Sequence, residues 1–394
     1  MTSTGSRTRY GAVDATRGLA LLGSATGTSL LWLGARQLGP GYRPLAAGPL
    51  DRSVDLVTAL LVDNRVLAVF ALLLGYGLAV RLGGPGQLQP PASGPGRDAE
   101  LGRAVRRATV LLGLGALHAA LLLDADVLAT LAVVTVLAVP LVGARSRTHV
   151  GVGLLVVPAL LIHGAADGLG GSAGFPDPPA DYLLSVVDRV GTWLLGLVLL
   201  PFTQLGLLLP AVAGIRLARA GWLAEPAAHR RGLGVVGAVA TAVGLLGALP
   251  YARAVSAGAQ GDVTVTVQAG ALSSLTGPVA AVGAVCLTVL LLDLLAASRA
   301  TAALALLGRH SLPLYLGQSL VLALVLAPWA GGLGARWGSA DVVGLGIALW
   351  TLCLLAAVLV RPRPERPEGE GRRWRGGGSG QPTDRQGLAR SSAT

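Results

Sequence analysis

Long apolar runs alternate with short polar or glycine- and proline-rich segments along most of the chain, from about residue 12 to residue 360. A helix needs roughly 20 apolar residues to cross a bilayer, so this pattern predicts an all-α, polytopic membrane helix bundle. About ten spans are expected. They cover about 12–33, 66–80, the two arms of a hairpin within 106–140, 150–166, 190–215, 233–249, 272–295, 312–327 and 342–360. The first follows a polar, basic start and is interrupted by Asp14 and Arg17, so it reads as an uncleaved first helix. Residues 54–65 (VDLVTALLVDNR) predict a short interfacial helix ahead of the second span. Pro201, Gln204 and Pro210 predict a kink in the sixth. Segments 34–53, 81–103 and 167–182 carry the Gly and Pro of loops.

Composition agrees with this reading. Of 394 residues 53% are hydrophobic and only 13% charged, against about 25% charged in ordinary soluble domains. A transmembrane domain is therefore assigned to 1–360, in an N-terminal part of about 10–215 and a C-terminal part of about 216–360. After Arg361 the composition turns to Pro, Gly, Arg, Glu and Ser, which predicts a disordered cytoplasmic tail over 361–394.

The net charge of +11 would suggest nucleic acid were it not for its placement. All 31 basic residues are arginine, and 22 of them lie at the N-terminus, in alternate loops and in the tail, against 5 in the intervening loops. That asymmetry predicts both termini in the cytoplasm and a protein of the cell membrane, with a bilayer and not a nucleic acid as its partner. The Arg-rich tail is suited to anionic lipid. Cys286 and Cys353 lie inside apolar runs, so neither a disulfide framework nor a metal site is expected.

Ionisable residues inside apolar runs are costly and mark candidate sites. On the outer side these are Asp63, Arg65, His118, Asp124, Asp126, Asp188 and Arg189. His118 lies six residues before Asp124, about 9 Å along a helix. The short turn at 124–126 brings a carboxylate within reach of the imidazole, the arrangement of a general base, so His118 and Asp126 are the candidate catalytic pair. On the inner side lie Asp14, Arg17, Asp293, Arg309 and His310, with Gln318 about two turns deeper. Asp14 and Arg17 share one helix face and are expected to form an ion-paired lock joining the first span to the ninth. Asp14, Arg17, Arg65, Arg309, His310 and Gln318 are the candidate binding residues. Walker, dinucleotide, zinc and nucleophile-elbow motifs are absent from the sequence.

Four segments carry a family resemblance. VDATRGLALLG (13–23) resembles the LDxLRGxALLG signature of the YeiB-like family, filed as domain of unknown function 418. RVLAVFALLLGYGLA (65–79) is similar to its LFSLLFGxGFA segment. LHAALLLDADVLATLAVVTVLAVP (117–140) resembles LHxLLxxGDILxxYAxxGLLLxP, with Asp126 at the motif aspartate. GRHSLPLYLGQS (308–319) resembles GRMALTNYLLQS, with Leu314-Tyr315 in place of NY. SATGTS (24–29) stands where the family commonly has an Asn, and GRRWRGG (371–377) is at most an echo of its GPLEWLWR block. The family is related in pattern to integral-membrane acyltransferases, although the first helix here lacks the His those enzymes often carry near it. The resemblance thus implies acyl transfer from an acyl-CoA-like donor to a cell-envelope acceptor. A solute or lipid transporter and a non-enzymatic membrane scaffold stay open beside it.

The arginine distribution yields a topological prediction. Reporters inserted in 34–53, 167–182 and 328–341 should appear outside the membrane and those in 81–103 and 216–231 inside. A C-terminal reporter on the outer side would overturn the even number of spans.

Overall fold

Helices account for nearly all of the computed structural model, which describes residues 11–34, 37–83, 95–170, 179–258, 262–295 and 298–360. In chain order they are α1 (Gly11–Leu30), α2 (Pro49–Leu61), α3 (Val66–Gly83), α4 (Pro95–Leu121), α5 (Val127–Ala138), α6 (Ser146–Leu155) and α7 (Val157–Leu169). They continue as α8 (Tyr182–Thr203), α9 (Leu208–Arg219), α10 (Arg230–Ala257), α11 (Val263–Leu294), α12 (Arg299–Arg309), α13 (Ser311–Leu326) and α14 (Ser339–Leu359). No strand occurs among the described residues; Leu38 and Pro44 form only an isolated antiparallel bridge. The expected tail at 361–394 lies outside the described residues.

Seven helical stretches are long and apolar enough to cross a membrane: Pro49–Gly83, Leu101–Leu121, Ser146–Leu169, Tyr182–Thr203, Pro226–Ala257, Val263–Leu294 and Ser339–Leu359. Val127–Gly143 and Ser311–Leu326 are shorter apolar helices. The outer surface is correspondingly apolar. Leu155 and Leu183 are 72% and 73% exposed, a pattern that water would oppose and lipid accommodates. This is a multi-pass membrane protein.

Several stretches differ from expectation, each for a local reason. The expected interfacial helix is a full arm, α2, which begins at Pro49 and runs to Leu61 before the chain turns at 62–65. The expected sixth span is two helices. Pro201 sits in the last turn of α8, Gln204 closes it, and a short 3-10 turn at Leu205–Leu207 leads into α9. α11 starts nine residues earlier than the apolar run because Asp262 caps it, its carboxylate accepting from the Thr264 N–H at 2.8 Å. α12 was not expected; Ser298 caps it by accepting from Thr301 N–H.

The core lies where α3 crosses α9 and α11, among Leu72, Leu73, Tyr76, Ala211, Ile215 and Val285. Little hydrophobic force separates a helix contact from a lipid contact, so close backbone approach matters more here than in water. A Cβ at Gly75 would fall on the Ala211 carbonyl, and one at Gly214 on the Leu72 carbonyl. Gly308 meets the Asp14 carbonyl in the same way where α12 crosses α1. Gly113 on α4 has open space around it. Gly75→Leu and Gly308→Val should therefore sharply lower the yield of folded protein on size-exclusion chromatography, whereas Gly113→Leu should not. Normal yield in the first two would remove these crossings from the account of stability.

Candidate functional site

The chain between α2 and α3 is Val62-Asp63-Asn64-Arg65, and it turns inside the bundle. Asn64 stands against Gly277, near the middle of α11, where a Cβ would strike the Asn64 carbonyl. Asn64 has φ +60°, a left-handed conformation that Asn tolerates better than most residues. The carbonyls freed by this break are met by Arg65, buried at 5% exposure. Its guanidinium donates to the Ala59 carbonyl at 3.3 Å, to the Asp63 carbonyl, and across to Gly244 of α10 at 3.2 Å. Arg65, a candidate binding residue, thus clamps the break, and it also lines a neighbouring cavity of about 230 Å³.

Arg43, in the loop before α2, completes the arrangement. One of its nitrogens donates to both Asp63 oxygens at 3.1 Å, and its Nε lies 3.3 Å from the Asp55 carboxylate. Burial lowers the tendency of this guanidinium to hold its proton, but Asp63, Tyr251 and Asp55 more than reverse that, so its pKa is raised. Beside it Tyr42 has φ +56°, a rare conformation for an aromatic residue. Burial, with Asp167 adding to it, raises its phenol pKa.

These groups wall a cavity of about 300 Å³. Tyr42, Arg43, Asp63 and Asn64 line one side, and Tyr251 of α10 another. His163 and Asp167 enter from α7, and Gln204 enters from the α8–α9 break. Two interrupted helices therefore meet at one polar cavity. On α7 His163 Nε2 is 3.9 Å from Asp167 Oδ2, one turn away, and Asn64 Nδ2 donates to the same oxygen at 3.0 Å. The two side chains are 30% and 24% exposed.

The hairpin pair is brought together as the sequence predicted, but in a sealed place. His118 Nδ1 is 3.4 Å from Asp126 Oδ1, with both side chains at 0% exposure. The contact is within ion-pair distance and off hydrogen-bond geometry, leaving both imidazole nitrogens and Asp126 Oδ1 without a hydrogen-bond partner. Asp126 Oδ2 caps α5, accepting from the Ala129 N–H at 2.7 Å. A Cβ at Gly115 would fall on that oxygen, so a glycine in α4 makes room for the carboxylate. The Tyr315 ring of α13 lies 5.3 Å from the His118 ring. One turn further Gln318 is buried, with neither amide atom hydrogen-bonded.

Asp124 stands in the turn, its pKa raised by burial against hydrogen bonds from the local backbone. Arg189 of α8 stacks over Tyr182 and Trp329 and donates to the Ala120 carbonyl at 2.9 Å, closing the end of α4. A second cavity, about 170 Å³, is lined by Tyr315, Leu21 and Leu128. Ser24, Phe70 and Val127 line both cavities and form a shared wall between them.

The inner-side candidates divide. Arg17 donates to Asp14 at 2.8 Å as expected, but its second contact, at 3.4 Å, is the Leu73 carbonyl, so the described contacts join α1 to α3 and not to the ninth span. Arg309 and His310 are exposed, and His310 Nδ1 donates to Leu306 one turn back at 3.0 Å.

Sequence reasoning missed Tyr42, Arg43, Asn64 and Tyr251 and passed over His163 with Asp167. The α7 pair carried a usable signal, a His and an Asp four apart in an apolar run. Arg43 carried none, since it reads as a loop cation and its carboxylate partners, Asp55 and Asp63, lie 12 and 20 positions away.

Residues 217–361 match a family model described as protein of unknown function (DUF418). The segment runs from the end of α9 through α14 and holds Arg309, His310, Tyr315 and Gln318. It also holds Tyr251 of the polar cavity, whose other described lining residues, like the His118–Asp126 pair, lie upstream of it. No curated protein and no solved structure matches the chain.

The cap geometry separates two roles of Asp126. Asp126→Asn keeps an oxygen for the Ala129 N–H and should hold its melting temperature. Asp126→Ala loses the cap, worth about 1 kcal/mol, and should melt a few degrees lower in detergent. Identical melting of the two variants would mean that the cap adds nothing.

Proposed function

We propose that this multi-pass membrane protein, whose residues 217–361 belong to the DUF418 family, holds the polar part of an acceptor in the cavity between its two helix breaks and transfers an acyl group to it. The observation that carries the reading is the His163–Asp167 pair, 3.9 Å apart and open to that cavity. An imidazole backed by a carboxylate is the common device for taking a proton from a hydroxyl or amine. His163 takes the acceptor's proton as its oxygen or nitrogen bonds to the acyl carbon. The carbon–sulfur bond of an acyl-CoA-like thioester breaks, and the departing thiolate receives a proton. Arg309 and His310, exposed at the start of α13, suit the phosphates of such a donor on the inner side.

On this reading the sealed pair His118 and Asp126 touches no acceptor and acts through Tyr315, which lies against the His118 ring and lines the second cavity. The acceptor belongs to the cell envelope on this reading, and the protein to the cell membrane, with about ten spans and both termini in the cytoplasm. The arginine asymmetry supports that orientation.

Translocation of a small polar solute or lipid is the second reading, favoured by the two interrupted helices that meet at the cavity, a construction transporters use at their binding sites.

Purified protein in vesicles, given an acyl thioester and a panel of sugar and amine acceptors, should release free thiol and form a product heavier by the acyl group. His163→Ala should reduce turnover by about 10²-fold or more at unchanged membrane abundance, with Arg309→Ala raising the donor KM. Solute flux without any change in mass would decide for translocation, and full turnover in His163→Ala would sink the proposed base.

A further inference from the structure

The polar cavity does not end at its own walls. Gly23 of α1 and Val62 of the α2–α3 break also line an apolar groove of about 490 Å³. The groove lies between α1, α2 and α14 and is walled by Leu22, Thr26, Val57, Leu61, Val343 and Ile347. Its open side is the outer surface of the bundle, where Val57, Leu61 and Ile347 are 51%, 54% and 44% exposed. In a membrane that side faces lipid. A glycine at position 23 keeps the junction low, since a Cβ there would come within 2.5 Å of Val66 Cγ2.

The charges of the cavity select among head groups. Among the described lining residues Arg43 is the one arginine, and Asp63 and Asp55 already take it up. Asp63 and Asp167 set two carboxylates against that single guanidinium. An anionic head group would thus enter a cavity with no cation left for it, at a cost that burial increases. Hydroxyls and amines find acceptors in Asp167 and Gln204 and a donor in Tyr42.

We infer that the ligand of this site is an amphiphile, with an uncharged hydroxyl-bearing or a cationic amine-bearing head in the polar cavity and an alkyl chain laid in the groove of α1, α2 and α14. The inference rests on the reading of the polar cavity as a binding site and names the class of molecule it receives. It requires the chain to leave between Gly23 and Val62, so the ligand enters sideways from the bilayer and not from water.

The test uses the full-length protein in phosphatidylcholine nanodiscs with three probes, each carrying a diazirine in a dodecyl chain: a glucoside, a primary amine and a phosphate. The glucoside or the amine should label peptides of α1, α2 and α14, and an excess of the same amphiphile without diazirine should suppress it. The phosphate should label at least tenfold less. Val57→Trp and Ile347→Trp, each on an exposed position and each checked by chromatography and melting, should cut labelling about tenfold. Both should leave binding of methyl glucoside or methylamine, followed by saturation-transfer NMR, unchanged. Labelling that is independent of head group, or that no competitor suppresses, is ordinary lipid contact and overturns the inference. If the small polar probes bind and depend on Asp167 while the dodecyl probes gain nothing, the cavity remains a site and the amphiphile falls. If neither kind binds, both readings fall.

Discussion

Irregular backbone within a bilayer survives only where the protein supplies hydrogen-bond partners that lipid cannot. Residues 62–65 meet this condition through Arg65, which takes the carbonyls of Ala59 and Asp63 and a third from Gly244. Arg43 ties the same turn to the loop before α2 by holding Asp63 while facing Asp55. Removing one partner of such a buried cluster leaves the others uncompensated, a loss of several kcal/mol. The polar cavity exists because this turn is held open. Without it α2 and α3 would be one apolar rod, and Asn64 would have no route to Asp167.

The packing around the turn serves the same end. The crossing at Gly75 and Gly214 draws α9 against α3 and so brings the preceding break, with Gln204, to the cavity. Gly277 gives Asn64 its place against α11. The site is thus assembled from loops and helix ends, yet each contributing segment is seated by a small residue on a long helix. That combination suits a binding site, since the pieces that touch a ligand are distinct from those that bear the load of the bundle.

Much of the architecture was legible in the sequence because a bilayer writes it in one letter class. Apolar run length gives the helices, and the arrangement Asp-x-Asp after His118 gives a hairpin whose second carboxylate reaches the imidazole. The family resemblance was legible too, and its fourth motif falls inside the matched 217–361 segment. What the sequence withheld was burial at the breaks. VDNR reads as an ordinary helix end, and nothing local distinguishes a terminus at the surface from one turned inward against Gly277. The loop residue Arg43 depends on partners 12 and 20 positions away, and Asp167 on an Asn 103 positions upstream. His118 shows the converse. Its pairing was readable, while its complete enclosure by α5 and α13 was not.

A span made in two pieces has a mechanical consequence. α2 and α3 each close their own hydrogen-bond ladders, so α2 can tilt about residues 62–65 without unwinding a turn of either helix. What resists that tilt is the Arg65 clamp on the carbonyls of Ala59, Asp63 and Gly244 together with Arg43 against Asp55 on the arm and Asp63 at the turn. A positive charge drawn to Asp63 competes with Arg43 for its carboxylate and slackens the joint. The carboxylate that ties the arm to its loop is thus the same one that faces the cavity.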